Sequence, residues 1–309
     1  MQTICRAMPR WANWAIILSS TQARSVEMAK YSVSQWIYGR EPLEHSLDRL
    51  ARYGYQGVEL AGEPGELEPA RVRRLLADRG LVASSICGLY PPKRDLSHPD
   101  GELRRWAVHY VKSCCELAAA VEAPTVIVVP SPVGRTAPVA DARTELELAM
   151  ESLREAGEHA AGLGVTLVIE ALNRFETYLI NKLEQAVELA RRVGLPNVAV
   201  MADTFHMNIE EPSIAGSIRR AGDLIRHVHI ADSNRESVGR GHIDFAEVLR
   251  ALRDVGYDGW LTMEFLPPVS NPYLAADRQD REGVMDLYTG ECIKRLREIE
   301  ANLGKSVNL

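Results

Sequence analysis

The sequence predicts an α/β fold, a TIM (β/α)8 barrel, and two observations support this expectation. Apolar runs of about five to nine residues alternate eight times with longer segments of helical apolar spacing, over about 280 residues. Several helical segments end in a glycine just before the next apolar run, where a left-handed residue commonly closes a helix. Regular alternation of strands and helices indicates a parallel sheet, and eight such units suffice to close a barrel.

The strands are predicted from short apolar runs after glycine or proline, and the helices from apolar residues that recur with the helical period. The predicted strands occupy residues 31–37, 57–61, 81–89, 125–129, 166–170, 198–202, 225–230 and 260–265. The predicted helices occupy residues 42–53, 68–79, 99–120, 139–163, 183–193, 213–221, 245–255 and 283–303. The glycines expected to end helices are Gly54, Gly80, Gly164, Gly194 and Gly256. Asp244 and Glu247 have the spacing of a capping box and mark the start of the seventh helix.

One catalytic barrel domain is expected over residues 29–309, after a leader of residues 1–28. A doubly wound sheet is the rival fold, but no GxGxxG follows the first predicted strand, which weakens its nucleotide-binding version. The leader contains Arg6 and Arg10, followed by a short apolar stretch that is interrupted by Asn13. This pattern loosely resembles a signal peptide, and the alternative is a disordered leader with Met28 as the natural start of the folded part.

The composition excludes several classes of protein. The net charge is −6 and the pI is about 5.8, without the basic stripe expected of a nucleic-acid-binding protein. No apolar run approaches the ~18 residues that a membrane span needs. The five cysteines are an odd number without a CxxC pair, which favours reduced thiols in a cytoplasmic protein.

Four consecutive strands end in side chains that commonly bind metals. Glu170, Asp203, His229 and Glu264 end the fifth, sixth, seventh and eighth predicted strands, each emerging from an apolar run. Functional groups of such barrels gather at the carboxyl ends of the strands, so these side chains are expected to converge. Three carboxylates and one imidazole favour a hard divalent cation, with Mn²⁺ expected first and Mg²⁺ or Co²⁺ as alternatives.

Four segments carry a resemblance to a known family. "IEALNRFE", "DTFHMNIEE", "HVHIADSNR" and "DGWLTMEF" are similar to motifs of the xylose-isomerase-like sugar isomerase/epimerase superfamily. Within it they most resemble the ketose 3-epimerases of the D-tagatose/D-allulose (psicose) 3-epimerase family. The resemblance implies a metal held by the four strand-end residues above, and a ketose held by Glu176, His206 and Arg235. It also implies a homo-oligomer, either a dimer or a tetramer.

This site is predicted to epimerise a small keto-sugar at C3. The C2 carbonyl acidifies the C3 proton, and a divalent cation would stabilise the enediolate as a Lewis acid. Glu170 and Glu264 lie on different strands, so one is expected to act as the base and the other as the acid. For the substrate-binding residues a structural alternative stays open, for example an ion pair between Glu176 and its neighbour Arg174.

Other functions of the same barrel remain alternatives. A lyase acting on a keto-sugar would also begin by removing a proton beside a carbonyl. Inosose dehydratases are one example, and the larger subunits of C-glycoside deglycosidases, which act on 3-keto-glucosides and need a small partner subunit, are another. A sugar-binding barrel without catalysis is the third alternative.

A few further residues near the strand ends have two possible interpretations. Trp36 and Glu59 could face the site or belong to the core, and His227 is expected to pack behind His229 or at the surface. The segment from Ser237 to Phe245, "SVGRGHIDF", could clamp a phosphate or form a loop that leads into the next helix.

Overall fold

A computed structural model describes residues 29–269 and 281–305 of the chain. Eight parallel strands form a closed barrel in chain order, with the last strand paired to the first. The strands are β1 Lys30–Ser34, β2 Gly57–Gly62, β3 Val82–Gly88, β4 Thr125–Val128, β5 Thr166–Ile169, β6 Val198–Asp203, β7 Ile225–Ile230 and β8 Trp260–Met263. The predicted TIM barrel is therefore confirmed, whereas the predicted leader lies outside the described residues.

Helices follow the strands and cover the outside of the barrel. They are α1 Leu43–Tyr53, α2 Pro69–Ala77, α3 Gly101–Ala120, α4 Ala142–Gly162, α5 Leu183–Val193, α6 Thr204–Glu210, α7 Ile214–Ala221, α8 Phe245–Asp254 and α9 Arg281–Lys305. The sequence did not predict α6, a short helix that begins directly after β6. Within the described chain, no helix is both long and apolar enough to cross a membrane.

The predicted helix ends agree with the backbone conformation. All five glycines named above have positive φ values between 64° and 76°, which glycine adopts without a steric penalty. The Asp244 side chain accepts a hydrogen bond from Glu247 N at 3.0 Å and caps α8, which is one of the two bonds of the predicted capping box.

The core has two parts. A large apolar cluster fills the space between the strands and the surrounding helices. A small cluster lies inside the barrel and consists of Cys87, Ile127, Val168, Ala199 and Met201. Polar side chains cluster at two places on the strands, at the carboxyl ends of β5 to β8 and, deeper, on β2, β3 and β7.

The first strand is shorter than predicted. It ends at Ser34, and the chain then forms a 3-10 helix over Gln35–Tyr38. In this turn the indole Nε1 of Trp36 donates a hydrogen bond to Glu264 Oε1 at 2.7 Å. The turn therefore directs Trp36 to the barrel mouth, where it contacts one of the predicted site residues.

Candidate metal centre

The four predicted metal ligands come together at the carboxyl end of the barrel. Glu170 directly follows β5, Asp203 ends β6, His229 lies in β7 and Glu264 directly follows β8. Backbone bonds fix the two residues that lie beyond their strands, because Glu170 N donates to Val128 O at 3.0 Å and Glu264 N donates to Ile230 O at 2.9 Å. One ligand atom of each residue lies within 4.8 Å of the others, and all four are buried.

The imidazole of His229 faces the three carboxylates. Its Nδ1 atom lies 2.9 Å from Glu264 Oε2, 3.7 Å from Asp203 Oδ2 and 3.8 Å from Glu170 Oε1. This buried nitrogen has no hydrogen-bond partner of suitable geometry in the described part of the chain. A buried imidazole nitrogen beside three carboxylates is the donor set of a hard divalent cation, so these residues fit such an ion.

The neighbouring protein groups do not fully balance the negative charge of the three carboxylates. Burial, followed by the neighbouring Glu264 and Asp203 carboxylates, raises the pKa of Glu170 well above its usual range, against the opposing effect of His229. Burial would also raise the pKa of Asp203, but Arg235 and His206 reverse this effect and hold it well below its usual range. A bound cation would remove the repulsion that Glu170 experiences.

Arg235 lies in the site as the sequence predicts. Its Nη1 is 3.2 Å from Asp203 Oδ2 and its Nη2 is 2.5 Å from Glu264 Oε2, and the guanidinium stacks on the Phe205 ring. Its φ is +63°, a left-handed conformation that is uncommon for a residue other than glycine. Backbone bonds hold this conformation, since Arg235 N donates to Asp232 O at 2.8 Å and Leu266 N donates to Arg235 O at 2.7 Å.

Asn173 links the other two predicted substrate-binding residues. Its side-chain nitrogen lies 2.8 Å from His206 Nδ1 and donates to Glu176 Oε1 at 2.9 Å. Burial lowers the pKa of His206, which favours the neutral ring. The Asn173 backbone also donates to Nδ1, so the ring proton belongs on Nε2, which lies 3.7 Å from Asp203 Oδ2 and 3.4 Å from Arg235 Nη1. The neighbouring Arg174 binds Glu210, with Nη2 2.7 Å from Oε2.

The structure adds three residues to this region whose position the sequence did not settle. Trp36 reaches Glu264, as described above. Glu59 and His227 lie fully buried inside the barrel, and both His227 Nε2 and His229 Nε2 point at the Glu59 carboxylate. Burial would raise the pKa of Glu59, but the two imidazoles reverse this and hold it well below its usual range. The only sequence signal for Glu59 was its place near the end of an apolar run.

The segment from Ser237 to Phe245, which could clamp a phosphate, has two basic side chains. Both contact other groups of the protein. Arg240 Nε donates to Glu291 Oε2 at 2.7 Å, and its guanidinium lies over the Tyr288 ring. His242 Nδ1 lies 2.9 Å from Ser233 Oγ. This geometry matches a loop held onto α9 rather than an open anion site.

A buried ion-pair cluster joins three of the loops around the mouth. Arg135, after β4, contacts Glu145 on α4 and lies 3.0 Å from Asp95, after β3, measured from Nε to Oδ2. Both carboxylates are buried. The adjacent Gly134 N donates to Glu176 O at 2.8 Å, so this cluster also supports the loop that carries Glu176.

Arg135→Ala is expected to lower the free energy of unfolding by about 3 kcal/mol, because it leaves two buried carboxylates without their cation. The motif resemblance implies that Glu176 binds a ketose, so the KM for that ketose is expected to rise as well, since the Glu176 loop loses support. Chemical denaturation measures the first effect and steady-state kinetics the second. Arg143→Ala is the control: its ion pair with Glu147 is exposed, so a change within about 0.5 kcal/mol is expected. Equal losses in the two variants would contradict the assigned role of the cluster.

Comparison with known proteins defines the class of protein. The family model for the xylose isomerase-like TIM barrel matches residues 47–282, and the chain belongs to this family. Among curated relatives, the D-psicose 3-epimerase of Ruminiclostridium cellulolyticum is 32% identical over 228 residues, which are 72% of this chain and 77% of that protein. The L-ribulose 3-epimerase of Mesorhizobium japonicum is 30% identical over 77% of this chain and 81% of its own length.

A solved structure supports the same relationship. The D-psicose 3-epimerase from Clostridium cellulolyticum H10, determined with D-tagatose, superimposes with a TM-score of 0.78 and 27% identity. The match covers 87% of this chain and 99% of that one. The resemblance to ketose 3-epimerases that the four motifs carry is therefore confirmed.

Proposed function

We propose that this protein is a divalent-metal-dependent sugar epimerase that inverts C3 of a small ketose. The convergence of Glu170, Asp203, His229 and Glu264 at the barrel mouth carries the proposal, together with the epimerase relatives. We also propose Mn²⁺ as the first choice of ion, a homo-oligomeric cytoplasmic enzyme, and a single catalytic domain over residues 29–309.

The proposed reaction moves one proton off C3 and another onto its opposite face. One carboxylate, Glu170 or Glu264, removes the C3 proton, and the C–H electrons form the C2–C3 double bond of an enediolate as negative charge develops on O2. The other residue, in its protonated form, then delivers a proton to the opposite face of C3. The two residues follow β5 and β8, with β6 and β7 between them, so their side chains reach the proposed ion from different directions.

The remaining residues would bind and orient the sugar. Arg235, already between Asp203 and Glu264, would offset the charge that develops on the enediolate. His206 would donate its Nε2 proton to a substrate oxygen near the carbonyl, and Glu176 would accept from a hydroxyl. The cation, when bound, supplies Lewis-acid stabilisation of the enediolate.

Solvent exchange tests the proposal. We expect the protein, incubated with Mn²⁺ and fructose, tagatose or ribulose in D2O, to incorporate deuterium at C3 and to form the C3 epimer, both detected by NMR. Glu170→Gln serves as the matched control and is expected to remove both signals. A product that has lost water would indicate a lyase instead. Absence of C3 exchange with every ketose would exclude the proposed epimerase.

A further inference from the structure

We propose that Glu59 is a positioning residue that holds His229 in the orientation and tautomer required of a metal ligand. The inference rests on the proposed metal site, but not on the identity of the sugar. Glu59 lies in β2, which is separated from β7 by β8 and β1 around the barrel. Its side chain therefore reaches across the barrel interior to the histidine.

The contacts of Glu59 identify it as an acceptor for two imidazoles. His229 Nε2 lies 3.0 Å from Oε1 and 3.2 Å from Oε2, and His227 Nε2 lies 2.8 Å from Oε2. Ser85 Oγ donates to the same Oε2 at 2.6 Å. All four side chains are fully buried, so water does not compete for these bonds. Since a carboxylate only accepts hydrogen bonds, both rings must present an Nε2–H group to it.

This arrangement decides which nitrogen of His229 is available to an ion. A neutral imidazole carries one ring proton, so a proton held on Nε2 leaves Nδ1 as a lone-pair donor. Nδ1 is the atom that faces Glu170, Asp203 and Glu264. Without Glu59, the ring loses the acceptor that keeps its proton on Nε2. A proton on Nδ1 would be attracted by the negative charge of Glu264, whose Oε2 lies 2.9 Å away, and would occupy the direction of the metal. Carboxylates that fix a metal-binding histidine in this way commonly strengthen metal binding.

His227 and Ser85 hold the carboxylate itself. They leave Glu59 little freedom to turn away from His229, because each occupies a lone pair of Oε2. Glu59, His227 and His229 could also surround an ion of their own. Their separations of 2.8 Å and 3.0 Å, with nitrogen directed at oxygen, are those of hydrogen bonds. The position of these residues beneath the proposed metal site favours the positioning role.

The proposal predicts weaker metal binding in Glu59→Gln. The amide can accept from only one ring through its oxygen and donates to the other, so the tautomer of His229 is no longer fixed. Calorimetric titration of the metal-free protein with Mn²⁺ is expected to give a Kd raised by about 10- to 100-fold, with one ion bound per chain as in the wild type. The visible absorption spectrum of the Co²⁺-loaded variant is expected to change as well.

A matched control separates this effect from general loss of buried charge. Glu300→Gln makes the same change at another buried carboxylate, which accepts from Tyr31 Oη at 2.6 Å near the start of β1. It is expected to lower stability while leaving the Mn²⁺ affinity and the Co²⁺ spectrum unchanged. Ser85→Ala, which removes one bond to Glu59 but none to His229, is expected to raise the Kd by a smaller factor than Glu59→Gln.

A measurement on the wild type tests the proposal without any variant. In the metal-free protein with ¹⁵N-labelled histidine, long-range ¹⁵N–¹H correlation is expected to show His229 protonated at Nε2. Absence of a proton on Nε2 would overturn the proposal, as would a folded Glu59→Gln with wild-type Mn²⁺ affinity. Two ions bound to the wild type, one of which is lost in Glu59→Gln, would make Glu59 a ligand instead. Absence of Mn²⁺ binding by the wild type would contradict the proposed function itself, and this inference with it.

Discussion

Glu264→Gln is expected to lower kcat by about a thousandfold while leaving the barrel folded. The carboxylate contacts His229, Arg235 and Trp36 at once. In the proposed reaction it binds the ion, balances the charge of Arg235 and transfers a proton to or from C3. An amide binds a hard cation less well and neither removes nor delivers the C3 proton. Its NH2 group would also face donors, because both Trp36 and Arg235 donate to Glu264.

The measurement is the initial rate of C3 epimerisation at saturating ketose and Mn²⁺. Circular dichroism and the melting temperature show whether the variant is folded. Glu155→Gln is the control, because Glu155 is exposed on α4 and pairs with Lys112 at the surface. Its rate is expected to equal that of the wild type. Near-normal turnover by a folded Glu264→Gln would remove this residue from the acid–base pair.

Removal of the ion is expected to abolish activity reversibly and to lower the melting temperature. Three carboxylates within a few ångströms of each other repel when no cation is present, and burial has already raised the pKa of Glu170 in that state. A free ion concentration of a thousand times the Kd adds about 4 kcal/mol to the free energy of unfolding. For a barrel of this size, that corresponds to a rise of roughly 10 °C in the melting temperature.

The experiment compares dialysed protein with and without EDTA, followed by addition of Mn²⁺ in excess. Elemental analysis confirms that the chelated sample holds no transition metal. EDTA already saturated with Mn²⁺ is the control and is expected to leave both activity and melting temperature unchanged. Full turnover by protein verified to be free of metal would exclude the ion from the mechanism.

The sequence predicted the barrel well because each unit contains its own local signals. Glycines with positive φ end the helices where expected, and every predicted strand overlaps an observed one. The errors occur where tertiary contacts override local preference. The apolar run 31–37 reads as one strand, yet the chain turns after Ser34 so that Trp36 can bond to Glu264, a residue from the other end of the chain. Helix α6 was missed because seven residues are too few to show a helical period, although Asp203, the predicted ligand, also caps it through bonds to Phe205 N and His206 N.

The four candidate ligands were predictable because residues at successive strand ends of a barrel are neighbours by topology. The role of Glu59 was not predictable, because its histidine partners lie on a strand across the barrel interior. Strand periodicity only assigns Glu59 to one of the two faces of the sheet. The position of Arg235 was suggested by motif resemblance. Its left-handed backbone was not, since nothing local in the sequence favours that conformation for an arginine.

The proposed ion-binding side chains all come from β5 to β8, which form one contiguous half of the barrel. The loops that follow β1 to β4 form the opposite rim, with Trp36 as their contact to the ligand set. Changes in the loops after β1 to β4 would therefore alter the surface that faces the proposed ion without replacing any of its proposed ligands.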